Sequence, residues 1–194
     1  MKTITKTYAV ATLLLFAFAL PAAAQSSKKK VTKTTVTKKV TKTPGKISSK
    51  KVTYKKPTKK VVSVRTVPNK KIVKHNGQSY YYSNNKFYTT SGGRYITIAP
   101  KVGFRINTLP PNYARVNFNN RLYFNVGGTF YIESNSGYEV VQPEIGTIVY
   151  ELPDGYEKVT IDGLSYYEYS NILYEKVQVD GSRAYEVVGI IDME

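Results

Sequence analysis

From residue 71 onward, apolar and polar residues alternate in short runs, and most runs end at a residue pair suited to a tight reversal. The runs "RLYFNV", "TFYIES", "YEVVQP", "TIVYEL" and "ILYEKVQV" are rich in β-branched and aromatic side chains, the composition of half-buried strands. Between them, Asn119-Asn120, Gly127-Gly128, Asp162-Gly163 and Asp180-Gly181 supply residues that tolerate positive φ, as two-residue hairpin turns require. In Leu152-Pro153-Asp154-Gly155 the proline presets φ and the glycine eases the reversal. No window longer than a strand carries a helical period. The pattern predicts an all-β fold of antiparallel meanders, with the regular strand spacing of small barrels or sandwiches.

The pattern also repeats. Tyr80, Tyr123 and Tyr166 are spaced by 43 residues, as are Tyr88, Tyr131 and Tyr174. The same step links Tyr95 to Tyr138, Pro100 to Pro143, Gly103 to Gly146, Leu109-Pro110 to Leu152-Pro153, Tyr113 to Tyr156 and Val116 to Val159. So many ungapped coincidences mark an internal duplication. A third copy is partial, keeping Gly163, Tyr166, Tyr167 and Tyr174 before "DGSR" delays the second "YEVV". Two units follow, at residues 99–142 and 143–194, with the strands of residues 71–98 expected to pair onto the first as a cap. A single continuous sandwich is the alternative.

The second unit holds five strands and opens with G-x-x-V-x-x-L-P, a rhythm that resembles the SH3-like small barrels of bacterial cell-wall-associated proteins. No ligand motif of that family can be matched. The wider pattern, YYY…FY…Y-x-x-x-x-P-x-x-G-x-x-x-x-x-L-P-x-x-Y, covers residues 76–174 and includes Pro100, Gly103, Leu109, Pro110 and Tyr113. It resembles exported, tyrosine-rich proteins of Bacteroidota grouped as a domain of unknown function. Asn112 departs from it, standing at the second-copy position of Gly155. The resemblance implies an exported all-β protein and transfers no functional residue.

The amino-terminal third has another character. Lys2 and Lys6, an apolar run over residues 8–20 and Ala22-Ala23-Ala24 read as a secretory signal peptide (1–24) cleaved after Ala24. The apolar run is short for a membrane span, and no cysteine follows it to carry a lipid, so an exported protein, periplasmic or secreted, is expected. Residues 26–75 contain 17 lysines, Arg65 and no carboxylate. Residues 25–70 therefore read as a disordered basic arm, with too little apolar surface to offset chain entropy. Its Val-Thr alternation suits a strand that becomes ordered on a partner, and the arm has the charge to fold back on the carboxy-terminal half. All 13 carboxylates lie between Glu133 and Glu194, while residues 76–118 have five basic residues and no acidic one. The formal net charge of +16 thus belongs mostly to the arm.

These features narrow the chemistry. The chain has no cysteine and one histidine, His75, so thiolate chemistry and multi-histidine metal sites are excluded, and His75 reads as a solvated side chain. No phosphate loop, nucleophile elbow or metal-ligand cluster is found, and no cofactor is expected. The carboxylate pairs Glu151/Asp154 and Asp154/Glu157 are the only candidates for a glycan-active enzyme, and their place around a surface turn suits solvated charges better. With 18 tyrosines and no tryptophan, strand alternation puts Tyr80 and its equivalents in the core and leaves Tyr81, Phe124 and Tyr167 as candidates for an exposed ligand-binding stripe. Lys28, Lys29, Lys30, Lys38, Lys39, Lys50, Lys51, Lys55, Lys56, Lys59 and Lys60 are the candidate polyanion-binding residues, through counterion release.

The sequence thus suggests a non-enzymatic module of the cell envelope. Its arm would attach to anionic polymers or lipid head groups, with nucleic acid bound only non-specifically. Its tyrosine-rich units would contact glycan or another envelope protein. Self-assembly through the basic and acidic ends is a further alternative.

Overall fold

The computed structural model describes residues 36–37, for which only the backbone is considered, 45–56 and 62–193. The expected signal peptide and cleavage site, and most of the expected basic arm, lie outside these residues. No α-helix occurs among the described residues, and the protein is all-β. The amino-terminal strands are β1 (Val36–Thr37), β2 (Lys46–Ser48) and β3 (Thr53–Tyr54), the last two joined by a 3-10 turn at Ser49–Lys51. Next come β4 (Ser63–Val64), β5 (Lys71–His75), β6 (Gln78–Ser83), β7 (Lys86–Ser91) and β8 (Arg94–Ile98). A second set comprises β9 (Arg105–Ile106), β10 (Ala114–Phe118), β11 (Arg121–Val126), β12 (Thr129–Ser134) and β13 (Gly137–Val141). The third comprises β14 (Ile148–Val149), β15 (Glu157–Ile161), β16 (Leu164–Tyr169), β17 (Ile172–Val179) and β18 (Ser182–Asp192).

Each set forms one antiparallel sheet with the same path. Sheet one runs β4-β8-β7-β6-β5, sheet two β9-β13-β12-β11-β10 and sheet three β14-β18-β17-β16-β15. The strands β5, β10 and β15 begin at 71, 114 and 157, and β7, β12 and β17 at 86, 129 and 172. The 43-residue step is therefore one five-stranded sheet. Positive φ at Asn76-Gly77, Asn119-Asn120 and Asp162-Gly163 closes the first hairpin of each sheet, as two-residue turns demand.

Residues 71–98 do not pair onto residues 99–142 as a cap. Their short turns return each strand to its own neighbour, and β4 closes β8 through Val64 and Tyr95. The backbone of this segment is thereby committed within sheet one, which meets sheet two face to face.

Alternation then assigns the two sides of every strand. Tyr80, Tyr82 and Phe87 of sheet one pack against Phe124, Val126, Tyr131 and Val140 of sheet two. The opposite face of sheet two sends Tyr123 and Phe130 against Ile172, Tyr174, Val187 and Ile190 of sheet three. Sheet two is thus apolar on both faces. Close approach is tuned by Gly146, where an added Cβ would lie 2.7 Å from the Phe118 ring. Its equivalent Gly103 faces His75 in the same way, at 2.9 Å. His75 is accordingly half-buried, edge-on to Phe104 at 5.1 Å. The expectation of a simply solvated histidine fails because position 75 is the aromatic position of the repeat, held by Phe118 in the next copy.

The remaining face of sheet three is covered by residues 45–56, which the sequence assigns to a disordered arm. β3 pairs antiparallel with β15, Thr53 opposite Thr160 and Tyr54 opposite Val159. β2 pairs parallel with β18, and β1 pairs antiparallel with β17. Ile47, Val52 and Tyr54 pack on Val159, Tyr166, Leu173 and Val188. This strap is ordered because sheet three supplies the apolar surface that the arm lacks. Composition alone misses it, since burial belongs to the pair and not to the segment.

One consequence is measurable at high pH. The Tyr54 phenol is pushed up to about 12 by burial, then by the carboxylates of Glu168 and Glu157. Its folded value lies above the unfolded value of 10.0, so its contribution is complete below pH 10 and is lost as pH rises toward about 12. Once the base-catalysed rise in intrinsic exchange is divided out, amide protection at the β15 edge is expected to fall within that window by more than protection in sheet one.

Candidate functional site

The three aromatic candidates do not form one exposed stripe. They occupy equivalent positions on three different sheets, and in a stack the equivalent faces meet different neighbours. Phe124 is buried between sheets one and two. Tyr167 is half-buried against the second core, its ring between Tyr156 at 5.4 Å and Tyr185 at 5.5 Å. Among the described residues no further sheet packs on the Tyr81 side of sheet one, and that face is open there. Tyr81 is half-buried on that face, whereas Phe124 and Tyr167 turn toward the interior of the stack.

The open face carries a tyrosine ladder. Tyr81 lies opposite Tyr88 across β6 and β7, and Tyr95 shares their side of the sheet, edge-on to Tyr81 at 5.2 Å. The equivalents Tyr131 and Tyr174 of Tyr88 are fully buried, whereas Tyr88 is partly exposed. Tyr88 and Tyr95 are not among the candidates named from the sequence. The signal that finds them is the 43-residue step taken together with strand parity, because both share the side of Tyr81.

Around the ring ladder the aliphatic positions have changed character. Lys86 stands where Ile172 stands in sheet three, and Thr97 where Val140 stands in sheet two; both are exposed. Ile72 is 65% exposed. The Lys70 ammonium lies over the Tyr95 ring at 5.3 Å, and the Lys74 ammonium donates to Ser79 Oγ at 2.7 Å. Part of the face is crossed by residues 65–70, where Ser83 Oγ donates to the Pro68 carbonyl at 2.6 Å. Since the chain has no carboxylate before Glu133, sheet one presents rings, hydroxyls and ammonium groups without a counter-charge of its own.

The other candidates are placed as follows. Glu151 and Asp154 are exposed at the turn before β15, and Glu157 is half-buried at its start. Lys50, Lys51, Lys55 and Lys56 are exposed on the strap, and the Lys55 ammonium donates to Ser165 Oγ at 2.7 Å. Lys28, Lys29, Lys30, Lys38, Lys39, Lys59 and Lys60 lie outside the described residues. Among the described residues no group of acidic or histidine side chains is arranged to hold a metal, and no helix is long and apolar enough to cross a membrane.

No curated protein and no solved structure matches the chain. Residues 51–191, from the strap into β18, match the family of unknown function DUF6515, and the chain belongs to that family.

Proposed function

We propose that this protein is an exported, non-enzymatic binding module of the cell envelope that attaches to acidic glycans. The observation that carries this reading is the open face of sheet one. It keeps Tyr81, Tyr88 and Tyr95 in the positions its sister sheets cover, and rims them with Lys70, Lys74 and Lys86. Flat phenol rings suit the apolar faces of sugars while their hydroxyls meet sugar hydroxyls, and ammonium groups suit uronate or phosphate substituents. The arm lysines, with Lys50, Lys51, Lys55 and Lys56 on the strap, add a salt-sensitive attraction of low specificity to the same polymers.

Affinity electrophoresis of the mature protein in gels containing an acidic polysaccharide tests this. Tyr81→Ala with Tyr88→Ala is expected to weaken retardation about tenfold, equivalent to about 1.4 kcal/mol, with the fold retained because both rings are partly exposed. Raised salt is expected to weaken it further, and a neutral polysaccharide should retard the protein less. Equal retardation of the wild type and the tyrosine variant would refute a role for this face.

A further inference from the structure

The turn between β5 and β6 carries a chemistry that its sister turns do not. Asn76-Gly77 is the one Asn-Gly pair in the chain. A side-chain amide followed by glycine is open to attack by the next backbone nitrogen, because no side chain on that glycine obstructs the five-membered ring that forms. Both residues are exposed, and a Cβ added at Gly77 would meet nothing within 4 Å. The ring therefore has room, and water reaches it. The ladder bonds beside the turn belong to His75 and Gln78, which face each other across the two strands. The Gly77 N–H thus stands outside the ladder.

Asn76 has a φ of 48° and Gly77 one of 73°. Ring closure rotates the Asn76 backbone out of this conformation, so the reaction runs through an opened turn. The tip of an exposed hairpin is the part of a sheet that opens first. Other asparagines serve as internal comparisons. Asn69, Asn84, Asn85, Asn119, Asn120 and Asn171 also have positive φ. They are followed by lysine, asparagine, lysine, asparagine, arginine and isoleucine, each of which puts a side chain beside the attacking nitrogen. Asn85 is further held by its Nδ2, which donates to the Val126 carbonyl at 3.4 Å.

We propose that Asn76 is a self-modification site that converts to aspartate and isoaspartate with water as the only co-reactant. The Gly77 nitrogen forms a bond to Asn76 Cγ, and the bond from Cγ to the side-chain nitrogen breaks. That nitrogen leaves as ammonia, taking the proton of the Gly77 N–H with it. Water then opens the cyclic imide, its hydroxyl going to one carbonyl carbon and its other proton to the ring nitrogen. Opening at Cγ gives an aspartate in an ordinary main chain. Opening at the backbone carbonyl routes the main chain through the side chain and gives isoaspartate. No electrons are exchanged with any other group.

Sheet three shows which product the fold accepts. Its equivalent turn is Asp162-Gly163, with φ of 48° and 78°, so an aspartate at position 76 leaves the hairpin intact. Isoaspartate adds a methylene group to the main chain and disturbs the pairing of His75 with Gln78. With either product a carboxylate enters a sheet that has none, two residues from Lys74 at the rim of the tyrosine face. Its consequence rests on the glycan reading above: the new charge weakens the hold of that face on an acidic polymer, increasingly so as the molecule ages.

Incubation of the folded protein at mildly alkaline pH, followed by peptide mass mapping, tests the site. Asn76 is expected to convert several-fold faster than any other asparagine, with isoaspartate detected in the same peptide by enzymatic methyl transfer. Gly77→Asn reproduces the pair found at Asn119-Asn120, where both residues hold positive φ, and should slow the conversion several-fold with the turn retained. An Asn76 that stays intact or converts no faster than Asn119 would overturn the proposal, as would a Gly77→Asn variant that converts at the wild-type rate. Asn76→Asp separates the chemistry from its consequence. In gels containing an acidic polysaccharide it should be retarded less than the wild type and less than Asn76→Ser, which loses the amide without gaining charge. Equal retardation of all three would overturn the effect on binding, whereas the glycan reading itself stands or falls with the tyrosine variants.

Discussion

Alanine at both Ile47 and Tyr54 is expected to destabilise the protein by about 3–6 kcal/mol, with the loss concentrated in sheet three. Ile47 is buried at 7% exposure and Tyr54 lies half-buried beside it over Val159 and Leu173. Truncation of a buried isoleucine to alanine typically costs about 2–5 kcal/mol, and a partly buried ring adds less. The two side chains share one patch, so the double variant should fall short of the summed single effects. The lost surface is that of both partners, because Val159 and Leu173 are wholly buried and meet water once the strap lifts. Chemical denaturation gives the magnitude. Native-state amide exchange gives the location: β15 to β18 should lose protection before β5 to β8. Uniform loss across all three sheets would show that the strap stabilises the stack as a whole.

The second large effect lies in the first core and has opposite signs for two substitutions at one residue. Tyr131 and Tyr174 are fully buried, and the hydroxyl oxygen of neither has a hydrogen-bond partner among the described residues. Burial raises both phenols above their ordinary range, with Tyr169 contributing in each case. Tyr131→Phe removes a polar atom with no partner while keeping the ring, and is expected to stabilise by roughly 1–2 kcal/mol. Tyr131→Ala leaves a cavity between sheets one and two and is expected to cost about 3–5 kcal/mol. Denaturation midpoints of the three proteins decide the matter, and a destabilised phenylalanine variant would mean that the hydroxyl is satisfied in solution.

Much of this fold is visible in the chain before any coordinates. The tight turns at Asn119-Asn120 and Asp162-Gly163 sit between the strands they were expected to join, and Tyr80, Tyr123 and Tyr166 are all buried. These features are local, or they recur at a fixed step. What composition hides is which face meets which. Strand parity sorts Tyr80 from Tyr81, yet it says nothing of whether a further sheet lies beyond, so Phe124 and Tyr167 read as surface residues. The strap is hidden for a related reason. Lys50, Lys51, Lys55 and Lys56 dominate its composition and all point to solvent, while the three side chains that order it are scattered among them.

Sheet two is buried on both sides, and that separates size from specificity in this architecture. The middle layer has no broad face of its own to present, so its residues answer mainly to packing. Among the described residues a broad sheet face is open to change at the tyrosine end, and the strap covers the other. A further 43-residue unit placed in the middle would move the two ends apart by about one sheet spacing, close to 10 Å, without either being redesigned. The stack is in that sense a spacer of adjustable length, whose reach is set by the number of its layers.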